Sequence, residues 1–333
     1  MNAHRYDVLG IGNAIVDVIA QAQDDFLVKH GMQKGGMMLI DEPRAEAIYE
    51  AMGPATEMSG GSAANTIVGL ASFGARAAFI GKVKSDSLGR AFTHDIRAVG
   101  VGFDAPPATD GPSTARCYIL VTPDGERTMN TYLGAAQNLY PQDVNAELVA
   151  ASAVTYLEGY LWDPSHAKDA FLKAAAIAHD AKRLVALTLS DAFCVDRWRD
   201  EFLHLARSRT VDLIFANEAE LKSLYQTADF DTAVAALRKD TSLAVVTRSE
   251  QGCLVVTPDQ TQAVPAFPIE QLIDTTGAGD LFAAGFLFGL SRNLDHVTSA
   301  RLGGLAAAEV IQHVGARPQR SLQDLAREHG LPV

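Results

Sequence analysis

Short apolar runs alternate with helical patterns along most of this chain, and this alternation limits the possible folds more than any other feature. The runs predicted as strands are residues 6–11, 77–80, 154–157, 184–189, 211–215 and 243–247. The segments predicted as helices are residues 87–100, 167–178, 196–206, 219–224, 278–290 and 294–312. Strands that alternate with helices form a mostly parallel sheet with helices on both faces. We therefore predict an α/β, doubly wound fold.

Two segments depart from this alternation, because they look like strands with no helix between them. They are residues 36–41 and residues 113–132, the second with a turn at Pro123-Asp124-Gly125. We expect them to form a small extra β-sheet within one domain, residues 1–333, with a lid at about 13–41 and 113–134. A mobile cover suits a site that must exclude water. An antiparallel extension without a gating role is the alternative.

The composition excludes several classes of partner. Lys plus Arg number 28 against 40 Asp plus Glu, a formal charge of −12, which argues against nucleic acid as the main partner. A small phosphorylated ligand remains compatible with that charge, because backbone amides bind anions. The three cysteines form no CxxC pair, so reduced thiols and a cytoplasmic location are expected. The longest apolar run, residues 281–290, is about half of what a membrane-spanning helix needs.

Several familiar motifs are incomplete here. A dinucleotide-type start, Gly10-Ile11-Gly12, has Ile15 at the third glycine position, which disfavours an NAD-dependent oxidoreductase. The pattern GxxxxGK[ST] of nucleotide hydrolases is absent, as are GxSxG and HExxH. Hydride transfer, Walker-type hydrolysis, hydrolase chemistry and a zinc site are therefore disfavoured.

The most informative segment is Asp274-Thr275-Thr276-Gly277-Ala278-Gly279-Asp280, which precedes an apolar helix. Glycines at a helix start leave N–H groups uncovered, and the helix dipole adds positive charge there. Gly277, Ala278 and Gly279 are therefore predicted to form an anion hole for a transferring phosphoryl group. Asp280 lies where it would accept a proton from a substrate hydroxyl. A glycine-rich turn with Asp280 stabilising the helix terminus is the structural alternative.

Two further patterns carry polar groups at predicted strand-to-helix junctions. Gly60 and Gly61 permit close approach of the backbone to a ligand, and Asn65 follows on the next helix, where its amide can bond sugar hydroxyls. Asn217 and Glu220 lie three residues apart on one helical face, a spacing able to hold a hydrated Mg²⁺ near phosphates. A tight turn and a solvated helix start are the respective structural alternatives.

These three motifs, in this order, resemble the ribokinase-like (PfkB) family of carbohydrate and nucleoside kinases over essentially the whole chain. Within that family the chain resembles the adenosine kinase branch, on the stretches 12–17, 130–135 and 158–162. The resemblance implies ATP-dependent phosphorylation of a primary hydroxyl, with AMP as the product if adenosine is the acceptor. It also implies Mg²⁺, in some relatives a monovalent cation such as K⁺, and a monomer or homodimer.

The resemblance assigns roles around the acceptor. Asp280 matches the family's catalytic base, and residues 277–279 match its anion hole. Asp17 matches the position that binds vicinal hydroxyls, with Asn13, Gly60, Gly61 and Asn65 completing the ribose shell. An Asp17 that merely ends the first strand is the alternative. A flat apolar slot for the base is expected from Met37, Met38, Ile40, Leu133, Tyr160 and Trp162, unless these side chains are plain lid core.

On the nucleotide side, the resemblance points to Thr247 and Gly252 as ATP contacts. Ser249 replaces a glycine common in the sugar kinases, which leaves the loop geometry open. Asn217 and Glu220 match the family's Mg²⁺-phosphate motif. Arg127, on the expected lid hairpin, is predicted either to close over the γ-phosphate or to face solvent.

Two other functions stay open on the sequence alone. The first is a kinase of the same fold for a free sugar or another nucleoside. The second is a regulator that binds nucleotide or sugar without catalysis, which an intact Asp280 and anion hole disfavour, since a binder has no need of a base at the transfer point.

Overall fold

The computed structural model describes residues 4–333, so the first three residues of the expected 1–333 domain lie outside the described part. The strands are β1 (Tyr6–Ile11), β2 (Ile15–Gln21), β3 (Met37–Leu39), β4 (Ala55–Gly60), β5 (Ala77–Ile80), β6 (Ala115–Val121), β7 (Arg127–Tyr132), β8 (Ser152–Glu158), β9 (Leu184–Thr188), β10 (Leu213–Asn217), β11 (Leu243–Thr247), β12 (Cys253–Val256) and β13 (Thr261–Val264).

The α-helices alternate with these strands over much of the chain. They are α1 (Asp24–Lys29), α2 (Glu42–Ala51), α3 (Ser62–Ser72), α4 (Ser87–Ala98), α5 (Ala146–Ala150), α6 (Ser165–Asp180), α7 (Ala192–Arg207), α8 (Glu218–Leu224), α9 (Phe230–Asp240), α10 (Ala278–Ser291), α11 (His296–Val310) and α12 (Leu322–Glu328).

Eight strands form the large sheet, in the order β13-β12-β11-β10-β9-β8-β1-β5. The pairs from β11 through β5 are all parallel, whereas β12 and β13 pair antiparallel at one edge. Separate apolar clusters cover the two faces, one including side chains of α3 and α10 and the other side chains of α6 and α7. The predicted doubly wound, mostly parallel α/β fold is therefore confirmed.

Most predicted elements occur where the pattern placed them, with differences at their ends. The predicted strand 211–215 is shifted to Leu213–Asn217, and helix α7 begins earlier than predicted, with the Asp191 carboxylate accepting from the Cys194 N–H at 2.6 Å. Strands β12 and β13 were not predicted from the sequence. Their short runs follow one another without a helix, and only pairing with β11 reveals them as a sheet extension.

A second sheet of five strands has the order β3-β7-β6-β2-β4. Strands β6 and β7 form the predicted hairpin, closed by a hydrogen bond from the Thr122 N–H to the Glu126 carbonyl at 3.0 Å. Strand β4 belongs to this sheet although it lies outside the expected lid boundaries. Its membership depends on pairing with β2, a contact between distant segments that local pattern does not encode.

Helix α10 packs between α3 and α11 on one face of the large sheet. Nearly all its side chains from Leu281 to Gly289 are buried. A Cβ atom on Gly285 would lie 2.4 Å from the Leu302 carbonyl carbon and oxygen on α11. The backbones of α10 and α11 therefore approach closely only because this position has no side chain. Among residues 4–333, no helix has the length and apolar character needed to cross a membrane.

We expect Gly285→Ala to lower the free energy of unfolding by about 1–3 kcal/mol, because the added methyl group forces α10 away from α11. Gly304→Ala on α11 is the matched control, since its Cβ would lie 3.8 Å from Phe267 in ordinary contact. The control should be neutral or more stable by up to about 1 kcal/mol from helix propensity. Urea denaturation of both variants measures this, and equal stabilities would contradict the packing argument.

Candidate active site

Polar side chains gather at the carboxyl edge of the large sheet. Asn13 follows β1, and Glu158, Asn217 and Thr247 are the last residues of β8, β10 and β11. Ligands of open α/β sheets bind outside this edge. The edge therefore locates the candidate site, and two features close it: the start of helix α10 and one face of the five-stranded sheet.

The start of α10 exposes backbone amides in a fixed geometry. Gly277 precedes the helix with φ +80°, and a Cβ there would lie 2.7 Å from the Ala316 Cβ. A Cβ on Gly279, in contrast, would have no described atom within 4 Å apart from its chain neighbours and the backbone of its own helix, so the space beside this residue is open. The Gly277 backbone packs against Ala316 on one side, and the space beside Gly279 is open on the other. The amides between them lie at the positive end of the helix dipole and form a cradle that fits an anion.

Asp280 lies in the first turn of α10 and bonds to the first turn of α3. The Ser62 hydroxyl donates to Asp280 Oδ1 at 2.6 Å, and Asn65 Nδ2 donates to Oδ2 at 3.1 Å. Burial raises the pKa of Asp280 to about 6, although these hydrogen bonds and the charge of Arg317 favour the carboxylate. A carboxyl group with this pKa is ionised at neutral pH yet basic enough to accept a proton.

Asp17 lies within β2 on the five-stranded sheet, so it does not end the first strand as the alternative supposed. Its carboxylate covers Gly60, where a Cβ would lie 2.4 Å from Asp17 Oδ2. Burial raises the pKa of Asp17 to about 6, and repulsion by Asp280 acts in the same direction. The positive charges of Arg317 and Arg127 lower the pKa but do not cancel the effect of burial. The two aspartates therefore share one cleft, Asp17 from the five-stranded sheet and Asp280 from helix α10.

Buried carboxylates orient two asparagine amides in this cleft. Asn13 Nδ2 donates to Glu158 Oε1 at 2.6 Å, just as Asn65 Nδ2 donates to Asp280. An ionised carboxylate only accepts, so it binds the amide nitrogen and leaves the amide oxygen free. Asn13 Oδ1 and Asn65 Oδ1 are both buried without a partner within residues 4–333. They lie beside a cleft that would take hydrogen-bond donors from a ligand.

Glu158 is a buried carboxylate that also caps α3. Its Oε2 accepts from the Ala63 N–H at 2.8 Å, and Gly61, the residue before the helix, supplies no side chain. Burial raises the pKa of Glu158 to about 7, against the hydrogen bonds from Ala63 and Asn13. In the sequence, Glu158 was marked only as the first residue of the stretch 158–162 that carries the family resemblance, and no role was predicted for it.

Arg127 joins the five-stranded sheet to the loop before α10. It forms an ion pair with Asp274, and both side chains are less than one-tenth exposed, at 9% and 8%. Burial alone would raise the pKa of Asp274, but hydrogen bonds from Gly315 and Thr276 and the charge of Arg127 lower it. The solvent-facing alternative for Arg127 is therefore wrong, while its contact with a γ-phosphate stays a prediction.

The face of the five-stranded sheet that carries Asp17 is otherwise mostly apolar. Cys117, Ile119 and Val121 of β6 are buried there and contact Ile15, Ile19 and Met129. The register pairs Met37 with Met129 and Leu39 with Thr131, whereas Met38 pairs with Asn130. Side chains alternate along a strand, so Met38 points to the opposite face. The prediction that Met38 lines the substrate slot is corrected: Met37 and Leu39 occupy that face.

The other residues predicted to form the apolar slot do not lie together in the structure. Leu133 follows directly after β7, and Tyr160 follows β8, with its hydroxyl 3.3 Å from the Ser190 carbonyl oxygen. Burial raises the pKa of Tyr160, as do the charges of Asp191 and Asp280. Trp162 is instead buried in the core between sheet and helices, its Nε1 donating to Glu201 at 2.8 Å. Trp162 therefore does not line the cleft.

Asn217 and Glu220 form a helix cap with each other. The Asn217 N–H and Nδ2 donate to the two carboxylate oxygens of Glu220, at 3.0 and 2.5 Å, and the Glu220 N–H donates to Asn217 Oδ1 at 2.9 Å. Burial raises the pKa of Glu220 to about 7. The described residues contain no group of three or more His, Cys, Asp or Glu suited to a metal ion. Both carboxylate oxygens of Glu220 already accept hydrogen bonds within this cap, which suits contact with Mg²⁺ through its bound waters, so the hydrated Mg²⁺ near this pair stays a prediction.

The loop after β11 keeps the shape that a glycine would favour. Ser249 adopts φ +49°, in the left-handed region, so the replacement noted in the sequence leaves that backbone conformation in place. Thr247 ends β11, and Gly252 follows the short 3₁₀ turn Ser249–Gln251. Contacts of Thr247 and Gly252 with a nucleotide stay predictions.

Arg317 is a further site residue that the sequence analysis missed. It lies after α11, in Gly315-Ala316-Arg317-Pro318, and its guanidinium reaches the Ser59 carbonyl oxygen at 2.7 Å. A single arginine in a loop has no periodicity or spacing that marks it. Only the tertiary structure brings this residue to the cleft.

Comparisons with known proteins agree on one family. The family model described as pfkB family carbohydrate kinase matches residues 49–322. The adenosine kinase from Sinorhizobium meliloti is 56% identical, with a TM-score of 0.91 over 98% of this chain and 99% of that one. A probable sugar kinase protein from Rhizobium etli CFN 42 is 51% identical, with a TM-score of 0.93 over 99% and 100%. The adenosine kinase of Saccharomyces cerevisiae is 28% identical over 92% of this chain and 94% of its own length.

We predict that Gly279→Ala folds normally but weakens ATP binding by about tenfold, since the methyl group enters the open space beside the α10 amides. Gly277→Ala should instead lose stability, because φ +80° and the contact with Ala316 both oppose a side chain. Thermal unfolding and titration calorimetry with ATP separate the two effects. Gly53→Ala, at an open position away from the cleft, is the control, and unchanged ATP affinity of Gly279→Ala would contradict the cradle.

Proposed function

This chain belongs to the pfkB family of carbohydrate kinases, and from this premise we propose that it transfers the γ-phosphoryl group of ATP to the 5′-hydroxyl of adenosine. The products are AMP and ADP: the bond between the γ-phosphorus and its bridging oxygen breaks, and a bond to the acceptor oxygen forms. The supporting observation is Asp280, held beside the open amides of α10 in the same cleft as Asp17.

The chain's own groups divide the work of the reaction. Asp17 and the free oxygens of Asn13 and Asn65 accept hydrogen bonds from the vicinal hydroxyls of the acceptor. Asp280 accepts the proton of the attacking hydroxyl, since its raised pKa of about 6 suits a general base. The amides of residues 277–279 stabilise the charge that spreads over the transferring group. No step is assigned to a metal ligand of this chain.

The apolar face of the five-stranded sheet favours a nucleoside over a free sugar. Met37, Leu39 and Met129 offer soft side chains next to the buried Cys117 and Ile119. A heterocyclic base buries well against such a surface, whereas a free sugar leaves it uncovered. The 56% identity to the Sinorhizobium meliloti adenosine kinase supports the same acceptor.

A kinase for a free sugar or another nucleoside is the second candidate. The 51% identity to the Rhizobium etli probable sugar kinase favours it, and so does the acceptor-rich cluster of Asp17, Asn13 and Asn65, which suits any vicinal diol. Both candidates share the chemistry of Asp280. They differ only in which part of the acceptor covers the apolar face of the five-stranded sheet.

A coupled assay of ADP release across adenosine, inosine, cytidine, ribose and fructose tests the proposal. We expect the highest kcat/KM with adenosine and AMP as the product. Saturable activity on fructose or ribose with none on adenosine would reverse the choice of acceptor. Tight binding of ATP and adenosine without ADP release for any acceptor would instead favour a non-catalytic regulator.

Asp280→Asn should lower kcat by about 10²- to 10⁴-fold while ATP still binds, because the amide cannot accept the hydroxyl proton. Asp259→Asn, at an exposed position in the turn between β12 and β13, is the control and should retain wild-type kcat. A kcat near wild type for Asp280→Asn would remove the assignment of the base.

The rate should fall as the pH drops through about 6. Asp280 and Asp17 both have a pKa raised to about 6, and both act as carboxylates, so protonation removes the base and an acceptor of the diol. We expect kcat/KM, measured between about pH 5 and pH 8, to have an acid limb near pH 6. An acid limb near the ordinary aspartate value would mean that these groups do not govern the rate.

Other features of the proposal follow the family. A small-molecule acceptor and ATP are the partners, and a monomer or homodimer is the expected assembly. The three cysteines are buried and unpaired, which supports a cytoplasmic location. The dependence on K⁺ stays a prediction, tested by replacing K⁺ with a large organic cation in the same assay.

A further inference from the structure

We propose that Arg317 is a positioning residue of the active site, which connects strand β4 to the start of α10 and supplies a positive charge next to Asp17 and Asp280. The inference rests on the proposed phosphoryl transfer and adds to it a residue outside the motifs that suggested the function. Its support comes from the residues on either side of the guanidinium.

Contacts on both sides of Arg317 locate it between the two halves of the site. Its neighbour Ala316 packs against Gly277 at the start of α10, with the Ala316 Cβ 2.7 Å from where a Gly277 Cβ would stand. Its guanidinium reaches Ser59, the residue before Gly60, and Gly60 in turn lies under the Asp17 carboxylate. Arg317 therefore connects the anion cradle to the strand that supports Asp17.

Ser59 is hydrogen-bonded both to Arg317 and to helix α4. Arg317 Nη2 donates to the Ser59 carbonyl oxygen at 2.7 Å and to its hydroxyl at 3.1 Å. Ser59 in turn donates its N–H and its hydroxyl to Asp95 of α4, at 2.7 and 2.8 Å. Ser59 is therefore held from two directions. Its position, and that of the glycines after it, depends on a residue of the opposite layer.

The ion pair of Arg127 with Asp274 is a second contact between the two layers, in which the arginine belongs to the five-stranded sheet. Arg127 extends from β7 of the five-stranded sheet to Asp274, which also accepts from the Gly315 N–H at 2.9 Å. Gly315 and Arg317 belong to the same short loop. Arg127 thus reaches the loop before α10, which Asp274 joins to the loop of Arg317, and Arg317 reaches β4, so the five-stranded sheet is linked to the start of α10 at two points.

Charge gives Arg317 a role that Ser59 alone does not explain. Asp280 accepts hydrogen bonds from Ser62 and Asn65 of α3. Acidic or phenolic groups also lie near it on β2 and at the end of β8, namely Asp17, Tyr156, Glu158 and Tyr160. Arg317 is the positive group that stabilises its charge. Burial lowers the pKa of Arg317 to about 10, so it stays protonated at neutral pH. Its Nε is buried without a hydrogen-bond partner among the described residues. The guanidinium is thus incompletely paired in a cleft otherwise dominated by carboxylates.

Removing this charge should make Asp280 harder to ionise. A positive neighbour stabilises a carboxylate, so its loss raises the pH at which Asp280 becomes a working base. The acid limb of the pH–rate profile then moves to higher pH. A purely structural arginine would change stability or kcat without moving that limb.

The test compares Arg317→Gln, which keeps a donor for Ser59 but no charge, with Arg317→Lys, which keeps the charge but not the planar fork. For Arg317→Gln we expect an acid limb about one pH unit higher and kcat at about pH 6 lowered by about fivefold. For Arg317→Lys the limb should stay at the wild-type pH, with a lower kcat/KM because β4 is held less firmly. Arg320→Met is the control, since Arg320 lies three residues on and pairs with Glu328 at 2.8 Å on the surface.

Each outcome decides between the charge role and the alternatives. An unmoved acid limb in Arg317→Gln, with or without loss of kcat, overturns the charge role. If Arg317→Gln does not fold, a limb displaced in Arg317→Lys overturns it instead, and an undisplaced limb supports it. Wild-type protein without phosphoryl transfer to any acceptor would refute the proposed function itself, whereas wild-type kinetics in both Arg317 variants would refute only this inference.

Discussion

The site depends on one contact between two helix starts, where the carboxylate of Asp280 is held by Ser62 and Asn65. This contact joins the first turn of α10 to the first turn of α3, two segments more than 200 residues apart in the chain. It orients the carboxylate and places it in surroundings that raise its pKa to about 6. The open amides of α10 and the free oxygen of Asn65 then face the same cleft.

The rest of the architecture serves to bring a second layer over this contact. The large sheet supplies Asn13 and Glu158 at its carboxyl edge, and the five-stranded sheet supplies Asp17 and an apolar face. Arg127 and Arg317 cross between the layers in opposite directions. Because a buried ion pair is costly to break on one side only, the Arg127–Asp274 pair fixes the relative position of the layers more than it stabilises the fold.

Carboxylates outnumber arginines among the charged side chains of the cleft, and this excess of negative charge determines its chemistry. Asp17, Asp280 and Glu158 all have raised pKa values, because burial penalises their charges more than the hydrogen bonds and, for the two aspartates, the arginine charges stabilise them. The carboxylates hold asparagine amides by their nitrogens, so the oxygens are left for a ligand. The result is a pocket that accepts hydrogen bonds from hydroxyl groups at one end and binds negative charge on backbone amides at the other.

The sequence by itself determined the local features: the alternation that yields a parallel sheet, the glycine-rich start of α10, and the place of Asp280 in its first turn. These follow from periodicity and backbone chemistry within a few residues. Tertiary structure alone decided which distant groups meet. The membership of β4 in the smaller sheet, the register that turns Met38 away and the approach of Arg317 all depend on pairings between separate segments. A one-residue change of register reverses every side chain of a strand, and no local pattern carries that information.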